Sequence, residues 1–268
     1  MSKNQKGRKR KPRAITAIKS IPLKDIPDGV GIDFLDILAH ELKAPLTSII
    51  GLTEVLQVKK SVSATEVQDS LSIIHREAFR LKHLINRIST VNRFESGREK
   101  VFLESFELNS FLSSYLPNLK MIAKNNHSKI VFNIDKKIKY KITSDKNKII
   151  QILYNFVENA DKYGSKGQTI TISVDKVKNN WIKVAVSDQG KGISKNFQKK
   201  IFNKFVQSKD TISRSCEGIG LGLYICKIIV DMLGGEIGVE SKLGRGSTFY
   251  FTLPVKKASK LFLKNNNV

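Results

Sequence analysis

The sequence is poor in the groups that staple or anchor a small protein. Its only cysteines, Cys216 and Cys226, stand ten positions apart, and its four histidines do not cluster with them. That argues against a disulfide framework and a structural zinc site, and it fits a reducing compartment. No stretch approaches the roughly 18 apolar residues of a membrane span. The basic N-terminus leads into no apolar core of signal-peptide length. The expectation is a cytoplasmic protein, at most peripheral at a membrane. Acids are scarce too: 24 Asp and Glu stand against 47 Lys and Arg, a formal net charge of +23. Such an excess either attracts polyanions (nucleic acid, acidic membrane, nucleotides, an acidic protein) or simply solvates a lysine-rich surface.

What remains is ordinary globular material. A chain of 268 residues, 40% hydrophobic and 26% charged, suffices for one large or two modest domains with a real core. Residues 1–29 are basic and short of apolar side chains, so disorder is expected, with acidic lipid or nucleic acid as a conceivable target. From about Ile32 the pattern turns helical, and Leu35, Leu38, Leu42, Leu46, Ile49, Leu52 and Leu56 form one stripe. A polar loop follows, then Thr65-Glu-Val-Gln68, which reads as a capping box. A second helix carries Val67, Leu71, Ile74, Ala78, Leu81, Ile85 and Ile88 in steps of four and three, close to a heptad. Two amphipathic helices joined by a short loop leave their stripes half exposed, and pairing two such hairpins into a four-helix bundle buries them. A homodimer is the economical expectation; a hairpin packed on its own second domain is the rival.

The domain boundary falls in the aperiodic, charged stretch 97–105, which separates a helical domain at 30–96 from a mixed domain at 106–255. In the latter the spacing predicts helices at 108–124, 145–162 and 219–233, and strands at 129–134, 138–143, 169–177, 181–188, 236–241 and 247–253. The fold class is therefore a helical hairpin followed by an α+β sandwich, its sheet covered by helices on one face. Residues 256–268 form a second basic tail.

Three stretches carry chemistry. On the helix at 145–162, Ile149, Leu153, Phe156 and Ala160 make a buried stripe, while Asn155, Asn159 and Lys162 share another face, next to Tyr163. Two carboxamides and an ammonium suit phosphate and Mg2+, which prefers hard oxygen ligands and few protein groups. Asp188-Gln-Gly-Lys-Gly-Ile193 follows a strand, with Gly190 and Gly192 allowing a tight turn and Asp188 able to accept from an exocyclic amine. Gly218-Ile-Gly-Leu-Gly-Leu223 opens a helix, where free N–H groups and the dipole favour polyphosphate. Each motif alone is weak, and neither glycine run matches a P-loop or the dinucleotide fingerprint. In this order and on these elements, the three together point to a nucleotide.

With these motifs in place, residues 30–256 resemble the catalytic core of the two-component sensor histidine kinases. His40-Glu-Leu-Lys-Ala-Pro-Leu46 is similar to the family's H box, and Asn155, Asn159, Ala160, Lys162 and Tyr163 to its N box. Asp188, Gly190 and Gly192 match the G1 box, Phe202 and Phe205 the F box, and Gly218, Gly220 and Gly222 the G2 box. Arg93-Phe-Glu-Ser-Gly97 resembles the exit from the dimerisation helices. The resemblance implies an ATP-binding domain of the gyrase/Hsp90 type. Asn155 would ligate Mg2+, Asn159 and Lys162 would touch phosphates, Tyr163 would pack on adenine, and Asp188 would accept from its amino group. Residues 194–217 would be a mobile lid, with Arg214 a phosphate contact. His40 would attack the γ-phosphate of ATP, aided by Glu41, and pass the phosphoryl group to an aspartate in the receiver domain of a response regulator. Pro45 removes the helical donor to the carbonyl of Glu41, so the helix should bend or loosen there. His75, His83 and His127 are read as ordinary solvated or core histidines.

Two departures are visible. Ala44 stands where the family usually carries Thr or Asn, a side chain thought to position water for dephosphorylating the partner; phosphatase activity is expected to be weak. Ile219 replaces a frequent Thr without altering the glycine pattern. No sensor domain precedes His40 within these residues, so input is expected from a partner, from the basic tail or from a domain outside them. The rivals are a related ATPase doing conformational work, with the tail on nucleic acid, and a degenerate scaffold. The first leaves His-Glu-x-x-x-Pro on a dimerising hairpin unexplained, and intact Asn155, Asp188 and G2 glycines argue against the second.

Overall fold

The computed structural model describes residues 14–15, 30–59, 61–123, 126–134, 140–177, 180–207 and 220–255. The chain divides into two compact units: 19–99 with 196–226, and 1–18 with 100–195 and 227–268. The predicted tails lie outside the described residues, except for Ala14–Ile15.

The first unit is built on a helical hairpin, α1 (Val30–Val58) and α2 (Ala64–Glu95). The cap of α2 differs from expectation. Ser63 is the N-cap: the Glu66 amide donates to its Oγ at 3.2 Å, and its own amide donates to Glu66 Oε2 at 2.9 Å. Ser63-Ala-Thr-Glu66 and Thr65-Glu-Val-Gln68 satisfy the same spacing rule, and the tie goes to the one whose acid also meets Lys59, at 2.6 Å. That hydrogen bond from Lys59, with those from Ser63, holds the Glu66 carboxyl down at about 2.

The heptad stripe of α2 is split lengthwise. Ile74, Leu81 and Ile88 are half-buried, Leu84, Val91 and Phe94 are buried, while Leu71 and Ile85 are about half exposed. On α1, Leu46 and Ile50 are similarly open. A single hairpin thus shields one edge of each stripe and leaves the other to water.

The second unit holds a five-stranded sheet of β4 (Lys129–Ile134), β6 (Thr169–Val177), β7 (Trp181–Ser187), β9 (Ser247–Pro254) and β8 (Ile237–Ser241), in the order β4-β6-β7-β9-β8. β4 runs parallel to β6 and the other pairs are antiparallel. Alternation puts Ile170, Ile172 and Val174, then Ile182, Val184 and Val186, then Phe249, Phe251 and Leu253 on one buried face. The register sets Ile172 opposite Val186 and Val186 opposite Phe249, a continuous apolar row. α3 (Leu108–Ile122) and α4 (Lys146–Tyr163) pack on the sheet and on each other. Phe156 of α4 is fully buried against Phe249 and Phe251, with ring centroids 5.6 and 6.2 Å away. The opposite face is polar, with Lys183 over the Tyr250 ring and 2.8 Å from Glu240.

Two short ladders were not foreseen. β1 (Ala14–Ile15), within the expected N-terminal tail, pairs with β2 (Val101–Phe102), and β3 (Glu104–Glu107) pairs with β5 (Lys141–Ser144). Four of the nine residues of the predicted linker, Val101, Phe102, Glu104 and Ser105, are therefore strand. The strand expected at 138–143 is β5, and it joins β3 instead of the large sheet; 138–139 lie outside the described residues. The last helix, α6 (Gly222–Leu233), starts later than expected, because Gly220 sits at φ +70, outside helical space. A single turn, α5 (Lys195–Gln198), lies between the β7 and α6 segments.

Candidate active site

His40 is an exposed side chain on α1, with Ala44 exposed one turn further on. Pro45 is buried, and α1 continues through it as one element; what the proline removes is the ladder donor to the Glu41 carbonyl. Glu41 turns towards α2. Its Oε2 is buried, makes no hydrogen bond, and lies 3.6 Å from Arg80 Nη2. The acid that follows the candidate nucleophile in sequence thus faces Arg80, with its Oε2 taking part in no hydrogen bond. His75, His83 and His127 are exposed, and the His75 ring packs at a tilt against Phe79, with centroids 4.7 Å apart.

In the second unit the face of α4 is as the spacing predicted. Asn159 Nδ2 donates to Asn155 Oδ1 at 3.2 Å, and both side chains are half-buried. Lys162 Nζ lies 5.2 Å from the Tyr163 ring centroid, and Tyr163 is 42% exposed. A half-buried carboxamide oxygen is a hard donor of the kind Mg2+ takes from a protein, and no group of three or more His, Cys, Asp or Glu occurs among the described residues. The donor set therefore suits a cation that takes most of its ligands from phosphate and water.

Asp188 directly follows β7 as a fixed acceptor. Its Oδ1 receives the amides of Gly190 at 2.8 Å and Ser247 at 3.1 Å, and its own amide donates to the Ser247 carbonyl at 2.8 Å. Burial pushes its carboxyl above the ordinary value, against the downward pull of those two amides. Gly190 is buried against the last turn of α4, and Gly192 lies where the following turn reaches Lys242.

The first unit carries the other motifs. Gly220 combines φ +70 with the Phe205–Val206 backbone within 2.9 Å of where a Cβ would stand, so only glycine fits. Phe205 answers it with φ 61, and its amide donates to the Gly220 carbonyl at 3.1 Å. Gly222 opens α6. Arg214 and Gly218 lie outside the described residues.

Two family models match the chain. Residues 32–97 match the His Kinase A (phospho-acceptor) domain, and residues 144–257 match the Histidine kinase-, DNA gyrase B-, and HSP90-like ATPase family. The chain belongs to the sensor histidine kinases. Sensor protein SrrB of Staphylococcus aureus is 31% identical over 227 residues, a match taking in 85% of this chain and 38% of SrrB. This kinase core therefore spans well under half the length of that relative. Histidine kinase ThkA, solved in complex with response regulator protein TrrA, has a similar fold, with a TM-score of 0.66 at 23% identity over 86% of this chain and 64% of that one. Full-length ShkA, solved in complex with AMPPNP, gives 0.62 at 23% over 83% and 45%. Among the described residues no helix of the kinase is long and apolar enough to cross a membrane.

Some groups around the candidate site residues have no signature in the sequence. Arg80 lies 40 positions from His40 in sequence yet faces the neighbouring acid. Ser247 fixes Asp188 through backbone alone, which leaves no trace in side-chain identity. Gln168 and Gln189 join segments that only the fold brings together.

Proposed function

We propose that this chain autophosphorylates on His40 at the expense of ATP and then donates the phosphoryl group to an aspartate of a response-regulator receiver domain. The observation that carries the reading is the coexistence, in one chain, of an exposed His40 beside the acid Glu41 with a carboxamide, ammonium and fixed-carboxylate set on an ATPase-type fold. In the transfer a ring nitrogen of His40 attacks the γ-phosphorus. A nitrogen–phosphorus bond forms as the bridging oxygen bond to ADP breaks, and the proton on the other ring nitrogen passes to Glu41 or water. Imidazole is nucleophilic near neutral pH without special tuning, so the task left to the protein is in-line positioning.

On the nucleotide side, Asp188 accepts from the adenine amino group and Tyr163 covers the ring. Asn159, Lys162 and, from the 194–217 lid, Arg214 meet the phosphates, and Gly218, Gly220 and Gly222 bring the N–H groups of the following helix to them. Asn155 would hold Mg2+, which when bound offsets phosphate charge. The AMPPNP complex of ShkA and the TrrA complex of ThkA are properties of those proteins, and they support the ATP and receiver-domain parts of this reading. A cytoplasmic core fits the use of ATP and such a partner. The open edges of the α1 and α2 stripes support homodimerisation through a four-helix bundle. Input comes from a sensory partner or sensor domain; the basic tail is a candidate contact for acidic membrane or nucleic acid.

The test is incubation with γ-labelled ATP and Mg2+. Label that is lost in acid, kept in alkali and absent from His40→Gln is expected. A protein that binds nucleotide yet takes no label at saturating ATP contradicts the proposal.

A further inference from the structure

The last turn of α4 carries Lys162 and Tyr163, and helix ends leave backbone carbonyls without intrahelical donors. Here side chains from flanking loops add donors around that turn, where the Ala160 carbonyl already accepts the Gly164 amide at 3.0 Å. Asn126 Nδ2 donates to the Asp161 carbonyl, and Ser128 Oγ donates to the Asp161 carboxylate at 2.6 Å. Gln168 does more. Its side chain is almost fully buried, its Nε2 donates to the Ala160 carbonyl at 2.5 Å, and its Oε1 accepts the amide of Gln189 at 2.8 Å. Gln189 completes a ring: its Oε1 accepts the Thr169 amide at 3.2 Å, and its carbonyl accepts from Ser165 Oγ at 3.2 Å. The backbone carbonyl of Gln168 also accepts the Lys129 amide at 2.8 Å, which ties the bridge to β4.

One carboxamide therefore spans the end of the helix that carries Asn155, Asn159, Lys162 and Tyr163 and the loop that carries Asp188 and Gly190. Only a group with a donor and an acceptor on one carbon makes both bonds. The space is reserved for it: a Cβ on Gly164 would stand 1.7 Å from Gln168 Nε2 and 2.4 Å from the Ala160 carbonyl oxygen. Gly190 is fitted to the same junction, its absent Cβ falling 2.7 Å from the Tyr163 carbonyl oxygen.

We propose that Gln168 is a positioning residue of the nucleotide site, its carboxamide setting the spacing between the last turn of α4 and the Asp188 loop. This rests on the nucleotide reading above. Gln168 touches no nucleotide itself; it holds the adenine acceptor and the Tyr163–Lys162 face in mutual register. Its loss therefore weakens nucleotide binding more than it slows transfer once the site is filled.

The experiment uses the full chain and ADP with Mg2+ in titration calorimetry, together with labelling rates across ATP concentration. Gln168→Met keeps the shape and removes both hydrogen bonds. A rise of about tenfold in Kd for ADP and KM for ATP is expected, with kcat within about twofold of wild type. Gln168→Glu supplies a second reading. As a carboxylate it lacks the donor, and when protonated it regains one, so its affinity relative to wild type should recover as pH falls. Should Gln168→Met fail to fold, this pH-dependent recovery decides the matter. Wild-type ADP binding with unchanged affinity in Gln168→Met, or with a Gln168→Glu deficit that pH does not move, overturns the inference. Absence of ADP binding by the wild-type chain overturns the nucleotide reading, and this inference with it.

Discussion

Asp188 shows how one carboxylate is placed at some cost to stability. Two amides converge on its Oδ1, yet burial dominates and raises its pKa above the ordinary 3.8. A folded-state acid with a raised pKa contributes stability that is complete below its unfolded pKa and is lost as pH rises through the folded one. Ionised Asp188 therefore works against the fold at neutral pH while serving as an acceptor. Asp188→Asn should melt at a higher temperature than wild type at pH 7, since the Asn oxygen still accepts the two amides. If Asp188 accepts from adenine as proposed, the variant should also bind ADP at least about tenfold more weakly, because an amide donor would then face the adenine amino group. In the wild type, ADP affinity should fall on acidification as Asp188 takes up its proton, and at a higher pH than an ordinary Asp would require; Asp188→Asn should show no such fall. Ala44, exposed one helical turn beyond His40, is the other informative side chain. It has no group to hold a water, so dephosphorylation of a phosphorylated receiver domain should be slow and should accelerate in Ala44→Thr. Phosphate release assays with both proteins check this, and rapid release by the wild type contradicts it.

Among the elements, α4 organises the second unit, and Asp145 organises α4. Asp145 is buried; its Oδ1 caps the amides of Asn147 and Lys148 at 3.0 and 3.1 Å, and its Oδ2 accepts the Phe102 amide of β2 at 2.8 Å. Asp145→Ala removes a helix cap and leaves the Phe102 amide without that acceptor, and it should cost about 2–3 kcal/mol in urea unfolding. A cost below about 0.5 kcal/mol would contradict this account of the cap. The long elements were legible because their signals are local. Alternation in β6, β7 and β9 and the four-three stripe of α4 are properties of neighbouring residues. The β1–β2 and β3–β5 ladders were not, because two- and four-residue strands carry no period and their partners lie far along the chain. The cap of α2 was misplaced by two residues because two overlapping boxes obey one spacing, and Lys59 favours the earlier. The N-box face and the Asp188 turn were readable from residue type and order. The Gln168 bridge was not, since a lone glutamine before a strand has no signature until Gln189, 21 residues on, is seen to meet it.

At the scale of the whole molecule, the half-shielded stripes of α1 and α2 set the state of assembly. Leu71 and Ile85 lie two heptads apart on one edge of α2, each about half exposed, with Leu46 and Ile50 open on α1. Light scattering should give about twice the 30.2 kDa of one chain, and Ile85→Asp should shift it towards the single-chain mass without abolishing ADP binding. A monomeric wild type at high concentration would contradict the bundle. The net charge of +23 belongs to this scale as well, since it favours nucleotide and acidic-protein encounter and makes both sensitive to salt.

All of this converges on one atom group, the imidazole of His40. The most direct measurement is site mapping: the chain is incubated with ATP and Mg2+, digested under alkaline conditions that preserve phosphoramidates, and sequenced by tandem mass spectrometry. Phosphate on His40, absent from the same peptide in His40→Gln, is the predicted result. Phosphate on another residue, or none on a protein that binds ADP, would contradict the account.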